Sequence, residues 1–252
     1  RLLFEGKNKE AQELMYTSFV PKKPEKGGTY GAFQMLGDLF LEHQYGVHEK
    51  DVPADYYRWL DLSKGIAYTT FSRGNVNYVR EYVVSRDKDI MLIHLKANVP
   101  GSINFKMNLS RPERGSVRKL AEGKLELYGS LDSGSSQPGV RYAAIAGITC
   151  KGRQTNQSTD EQSITVQNAD EAWILVSAKT SFLAGEIYET EADRILNDAL
   201  KSNLCETVSE AILSYQALFN RAGIRLPENE AVSHLTTDQR IERFQQQDDP
   251  SL

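Results

Sequence analysis

The sequence predicts a mainly β protein, with a large antiparallel β-domain of the sandwich or barrel type followed by an α-helical linker. Three observations carry this reading. Between residues 33 and 180, short segments rich in Tyr, Val, Ile, Phe and Thr recur between Gly-, Asn- and Asp-containing breaks. Several alternate apolar and polar residues, as in Ile103, Phe105, Met107 and Leu109, the pattern of a strand with one buried face. After Phe182 the apolar spacing changes to three and four residues, the period of a helix with one buried side.

The chain opens with an early helix over 2–19, where Ala11, Leu14, Met15 and Phe19 line up between charged residues. Pro21, Pro24 and Gly27-Gly28 end it in a loop. Strands are expected over 33–42, 56–62, 66–72, 76–85, 90–98 and 102–110, and again near 117–121, 124–129, 141–150, 163–168 and 172–180. Arg73-Gly74-Asn75 joins two of them as a hairpin turn. The Ser- and Gly-rich stretch from Asp132 to Gly139 reads as a flexible loop. Helices follow over 190–203 and 206–222, the second stopping at Gly223. The short extended piece Ile224-Arg225-Leu226-Pro227 leads to a further helix start at Thr236-Thr237-Asp238.

With 252 residues the chain is long enough for one large domain and an appendage. Its formal net charge of -4 gives no electrostatic reason to expect nucleic acid as a partner. No apolar run approaches the roughly 20 residues that span a bilayer, so a membrane partner is not expected either. The chain begins at Arg1 rather than Met and stops abruptly after Asp248-Asp249-Pro250-Ser251-Leu252, which reads as a segment of something larger. The lack of a leader segment therefore excludes nothing. Cys150 and Cys205 are too far apart for a disulfide framework and read as separate free thiols.

The residues display little chemistry of their own. His43, His48, His94 and His234 follow no metal-ligand spacing and read as surface or packing histidines, so no metal site is expected. Neither phosphate-cradling glycine motif occurs, and no cofactor is expected. There is no nucleophile elbow, and Cys150 lies in an apolar strand, so it reads as structural. Asp38, Glu42, Asp61 and Glu81 lie on strands and could supply a carboxylate pair of the glycosidase type, although 34 acidic residues make chance pairs easy. Asn108-Leu109-Ser110 and Asn156-Gln157-Ser158 fit the short glycan-acceptor pattern. Tyr56, Tyr57 and Trp59 could stack on sugar rings, but their strand setting places them in the core.

Several stretches, in unbroken order, resemble glycoside hydrolase family 95, the α-L-fucosidases. They are Leu3-Phe4-Glu5-Gly6-Lys7 with Glu10-Ala11-Gln12-Glu13-Leu14, the run Phe33 to Leu41 around Gly37-Asp38-Leu39, and Tyr57-Arg58-Trp59-Leu60-Asp61-Leu62. Val76 to Glu81, Gly139-Val140-Arg141-Tyr142-Ala143-Ala144, and Ala169-Asp170-Glu171-Ala172 with Thr180-Ser181-Phe182 continue the series. Tyr215 to Arg221 and Thr237-Asp238-Gln239-Arg240-Ile241 close it, so the resemblance covers nearly the whole chain. The chain departs from the family pattern where Ala211 and Ser214 replace a His and an Asp, and where Phe33 and Met35 replace a Tyr and a Pro.

The resemblance implies an antiparallel β supersandwich, incomplete at its N-terminus, over 1–185, then a helical linker and the start of an (α/α)6 catalytic barrel over 186–252. It implies that the intact protein hydrolyses terminal α-L-fucosyl linkages, α1,2 in the usual case, with inversion. The catalytic residues belong to the barrel, so none is carried onto this chain and the segment alone is expected to be inactive. The implied partners are a fucosylated oligosaccharide or glycan and the protein's own C-terminal barrel; the implied location is secreted or periplasmic. Missing strands should leave unpaired sheet edges and open apolar faces. Two other readings stand beside this one: a carbohydrate-binding β-sandwich module with an exposed aromatic platform, and the same domain of an α-L-galactosidase or another (α/α)6-barrel glycosidase.

Overall fold

Alternating burial explains most of the strands. In the computed structural model, which describes residues 1–18, 34–121, 123–132, 138–152, 162–224, 230–232 and 234–246, Phe105 and Met107 are wholly buried and Lys106 between them is not. The elements run α1 (Asn8–Ser18), β1 (Asp38–His43), a 3-10 turn (Gly46–His48), β2 (Ala54–Asp61), β3 (Ile66–Arg73), β4 (Val76–Ser85), β5 (Ile90–Ala97) and β6 (Ile103–Ser110). They continue with β7 (Gly115–Ala121), β8 (Lys124–Asp132), β9 (Pro138–Gly152), β10 (Ser163–Thr180), α2 (Ser181–Ala184), α3 (Tyr188–Lys201), α4 (Leu204–Phe219) and α5 (Thr237–Phe244). No helix among the described residues is long and apolar enough to cross a membrane.

The described strands form one antiparallel sheet in the order β2-β3-β4-β5-β10-β9-β8-β7, with β6 joined to β10 and β1 joined to β6. β10 makes this branching possible. Its first part pairs with β6, and its second part pairs with β5 and β9. Between them the register shifts, Asn168 takes a positive φ of 54°, and the bend is held from both sides. There Asn168 N–H donates to Asn104 Oδ1 at 2.7 Å, and Asp170 Oδ1 accepts from Gly101 N–H at 2.7 Å. A single bent strand thus replaces the two strands expected over 163–168 and 172–180.

The bend lets β6 fold back over β7 and β8, closing a sandwich. Its interior holds Phe71, Ile93, Leu95, Phe105, Met107, Leu125, Leu127, Ile164 and Ile174. Gly37 sits where the chain entering β1 crosses β8; a Cβ there would lie 2.4 Å from Leu127 Cδ2 and 2.8 Å from Ser110 O. The Gly37-Asp38-Leu39 stretch therefore needs glycine for close approach.

The outer face of the same sheet is covered by the helices. Ile66, Val83, Ile90, Leu92, Trp173 and Leu175 pack there against Ala192, Leu196 and Ala199 of α3 and Leu204 and Ala211 of α4. β5 is thus buried on both faces, Ile93 and Leu95 inward and Ile90 and Leu92 outward. Gly147 lets α3 lie close, with Leu196 Cδ2 and Leu200 Cδ1 each 3.1 Å from where its Cβ would be. Asn203 caps α4 by accepting from Glu206 N–H, and a Thr236–Gln239 capping box opens α5.

The expected elements recur with shifted ends. The early helix starts at Asn8 rather than at residue 2, because Gly6 with φ of 74° turns the chain first. β1 starts at Asp38 rather than at residue 33, and α4 ends at Phe219, before Gly223. The readings on Phe19, Pro21, Pro24, Gly27-Gly28, Phe33, residues 133–137, Asn156-Gln157-Ser158 and Arg225-Leu226-Pro227 lie outside the described residues. Among the described strands, β1, β2 and β7 are the ends of the branched sheet, and Val84, Leu183 and Ile187 leave apolar surface open.

Candidate functional site

Strand register assembles the most polar part of the fold. Trp59 on β2 stands opposite Tyr68 on β3, Tyr68 opposite Glu81 on β4, Glu81 opposite His94 on β5, and His94 opposite Trp173 on β10. The next row of the same face reads Tyr57, Thr70, Val79, Lys96, Glu171 and, on β9, Lys151. Side chains two apart in a strand share a face, so six strands deliver aromatic and charged groups to one surface. α4 borders it: Tyr215 Oη donates to Leu62 O at 2.8 Å and Gln216 Nε2 to Ser63 O at 3.0 Å, pinning the β2–β3 turn.

His94 is the hub. Its ring stacks on Trp173 with centroids 3.6 Å apart and planes 13° from parallel. Nδ1 meets Glu81 Oε2 at 2.8 Å and Nε2 meets Glu171 Oε1 at 2.6 Å. Each ring nitrogen thus faces a carboxylate oxygen, so the ring is held from both sides. Glu171 also accepts from Trp173 Nε1 at 3.0 Å and from Lys151 at 2.8 Å, while Lys96 lies 3.1 Å from Glu81.

The electrostatics follow from these contacts. Burial pushes the Glu171 carboxyl up, but Lys151, His94 and Trp173 together outweigh it and hold the group at about 2. The hydrogen bond from His94, helped by Lys96, also lowers Glu81 against its burial. A glycosidase acid must instead hold its proton near neutral pH, so this pair, both members kept ionised, suits charge organisation rather than proton donation. Glu126 moves the opposite way, raised by burial although Arg118 Nε is 2.5 Å away.

The four carboxylates proposed from sequence do not converge. Asp61 closes the β2–β3 turn, accepting from Ser63 N–H at 3.0 Å, Ser63 Oγ at 2.6 Å and Lys64 N–H at 3.2 Å. Asp38 and Glu42 stand on β1 opposite Ser110 and Lys106. Only Glu81 enters the network, and its counterpart Glu171 was not a candidate, since it lies far along the chain and only the β10 register brings it in. His43 packs among rings, 5.9 Å from Phe105, while His48 bonds Asp51 at 2.7 Å. Among the described residues no group of three or more His, Cys, Asp or Glu could hold a metal ion. Asn108 is paired on both sides inside the sheet, opposite Phe40 and Ser163.

Tyr56, Tyr57 and Trp59 are not core: they are 55%, 67% and 45% exposed, because β2 is an end strand with nothing described beyond it. Neither cysteine is disulfide-bonded, as expected; Cys150 is half-buried and Cys205 exposed. Cys150 packs on the sandwich interior, while its neighbours Thr149 and Lys151 belong to the outer face.

The family described as "Glycosyl hydrolase family 65, N-terminal domain" matches residues 1–185. "Alpha-L-fucosidase 2" of Arabidopsis thaliana is 26% identical over 251 residues, covering 87% of this chain and 30% of that protein. "Probable alpha-fucosidase A" of Aspergillus oryzae is 22% identical over 214 residues, covering 80% of this chain and 29% of that protein. A solved structure described as "Putative kojibiose phosphorylase from human microbiome" matches 72% of this chain and 27% of its own at 11% identity, with a TM-score of 0.47. The chain spans about 30% of the length of the curated relatives it matches. The fucosidase names agree with the family resemblance carried by the sequence motifs. The matched residues contain every described strand, from Asp38 to Thr180, and the chain belongs to the family of glycosyl hydrolase family 65 N-terminal domains.

Proposed function

We propose that the intact protein is an α-L-fucosidase-like glycoside hydrolase that releases terminal α-L-fucose, from α1,2 linkages and with inversion, and that this chain is its non-catalytic N-terminal portion. The observation that carries the reading is the 26% identity to an α-L-fucosidase across 87% of the chain. In this reading residues 1–185 are the β supersandwich, and 186–252 lead from it into a helical catalytic barrel that supplies the acid and the water-activating groups. The tight cover of α3 on the sheet through Leu196 and Gly147 supports a linker that holds the following domain at a set angle. The partners are then the barrel and a fucosylated glycan.

The test is to express the full-length gene product and this chain separately and assay both on 2′-fucosyllactose, following the released sugar by proton NMR. Fucose release by the full-length product, with the β-anomer appearing first from an α-linked substrate, and none by the chain alone, is the expected result. Activity in the 252-residue chain would overturn the non-catalytic assignment. An inactive, folded full-length product would overturn the fucosidase reading.

A further inference from the structure

The end position of β2 leaves its aromatic residues open, and two of them share one face. Tyr57 and Trp59 lie two apart in the strand, so both project from the outer face, about 6.6–6.8 Å from one another along it. They are 67% and 45% exposed. Trp59 is nevertheless held in place: it stacks on Tyr68 with centroids 4.9 Å apart and planes 16° from parallel. A ring already ordered by its neighbour loses little further freedom when a ligand covers it.

We propose that Tyr57 and Trp59 form a platform that binds consecutive pyranose rings of an oligosaccharide, with Thr70, Glu81 and Lys96 as its polar side. A pyranose presents an apolar C–H face for stacking and a rim of hydroxyls for hydrogen bonds, and both requirements are met here. Thr70 stands directly opposite Tyr57, and Glu81 opposite Tyr68 in the row that contains Trp59. Both contacts of Glu81 to His94 and Lys96 use Oε2, which leaves Oε1 as an acceptor. Lys96 keeps 40% of its side-chain surface exposed. The other flat ligands that stack on tryptophan, nucleobases, come with phosphates and call for a basic surface, whereas this chain carries a net charge of -4. The choice of a saccharide also rests on the glycosidase reading above.

The 252-residue chain contains two tryptophans, and Trp173 is only 6% exposed, so its fluorescence response to a sugar can be assigned. The chain is titrated with 2′-fucosyllactose and with lactose while emission is recorded. A saturable change, absent in Trp59→Phe emission but with binding retained by calorimetry, is expected. Trp59→Ala and Tyr57→Ala should each weaken binding about tenfold, as the loss of one stacking contact implies. Tyr16→Ala, on α1, should not. Circular dichroism and the melting transition separate lost binding from lost folding, and Trp59→Phe keeps an aromatic ring on Tyr68 if the alanine variant unfolds. No saturable change with either sugar overturns the proposal, as does an affinity unchanged from the parent chain in both alanine variants. If acrylamide quenches Trp59 in the chain but not in the full-length product, the face is a domain contact and the platform is excluded. Fucosidase activity of the full-length product is read separately, so either reading can fail without the other.

Discussion

The imidazole of His94 lies flat on the indole of Trp173, 3.6 Å between ring centroids, while that same indole donates to Glu171, which His94 also contacts. The three residues form a closed triangle on the outer face of the sheet, two of them on β10 and one on β5. A buried ring with two polar nitrogens is costly unless both are satisfied, and here each has a carboxylate. The arrangement ties β4, β5, β9 and β10 together through side chains as well as through backbone.

Removing one acceptor should show what that triangle contributes. Glu171→Gln weakens the acceptor for His94 and Trp173 and should cost about 1–3 kcal/mol at pH 7. The folded carboxyl sits at about 2 against about 4.3 in an unfolded chain. A depressed carboxyl stabilises the fold above the unfolded value, and that stability is lost as pH falls from about 4.3 towards about 2. Urea unfolding across this window should show a flatter pH dependence in the variant than in the parent.

His43 sets a second acid-sensitive window. Burial, helped by the nearby Arg80, depresses it to about 3, against about 6.5 when unfolded. The native state therefore favours the neutral ring, and stability present above about pH 6.5 is lost as pH falls towards about 3. His43→Phe keeps a ring beside Tyr45 and Phe105, and should remove the part of the acid destabilisation that occurs between about pH 6.5 and 4.5. Midpoints of chemical unfolding at a series of pH values test this.

Leu196 anchors α3 on the sheet and is completely buried. Leu196→Ala should lower stability by about 2–5 kcal/mol, since the backbone at Gly147 cannot move in to fill the space. Hydrogen exchange should rise in α3 before it rises in β6, whose core lies on the other side of the sheet.

The two thiols should react at very different rates. Cys205 is exposed, whereas burial holds Cys150 half-covered and pushes its thiol up to about 11. Ellman's reagent on the native chain should give one fast equivalent and one slow one, and the fast phase should vanish in Cys205→Ser. Under oxidation the pair should not bridge, because the Cys150 side chain packs on the interior face, whereas Cys205 lies with Lys151 over the outer one.

Much of the architecture is legible from local pattern. The alternation through Ile103, Phe105, Met107 and Leu109 is the alternation of burial in β6, and the three- and four-residue spacing of Ala192, Leu196 and Ala199 is the buried stripe of α3. Both follow from backbone periods that are present in the sequence itself. What local pattern misreads is the environment of a strand. Tyr57 and Trp59 look like core residues, but whether a strand face is covered depends on its place in the sheet, and β2 lies at the end.

The class of fold, the order of its elements and the family resemblance all follow from local stretches of the chain. All of these are written in neighbouring residues or in short runs. Tertiary structure alone decided which carboxylates meet. Glu171 reaches His94 because β10 pairs with β5, and it pairs there because the bend at Asn168 turns the rest of β10 over to β6. A register shift of one residue would have sent Glu171 to the opposite face, away from His94, which is why no reading of composition or spacing could have named the pair.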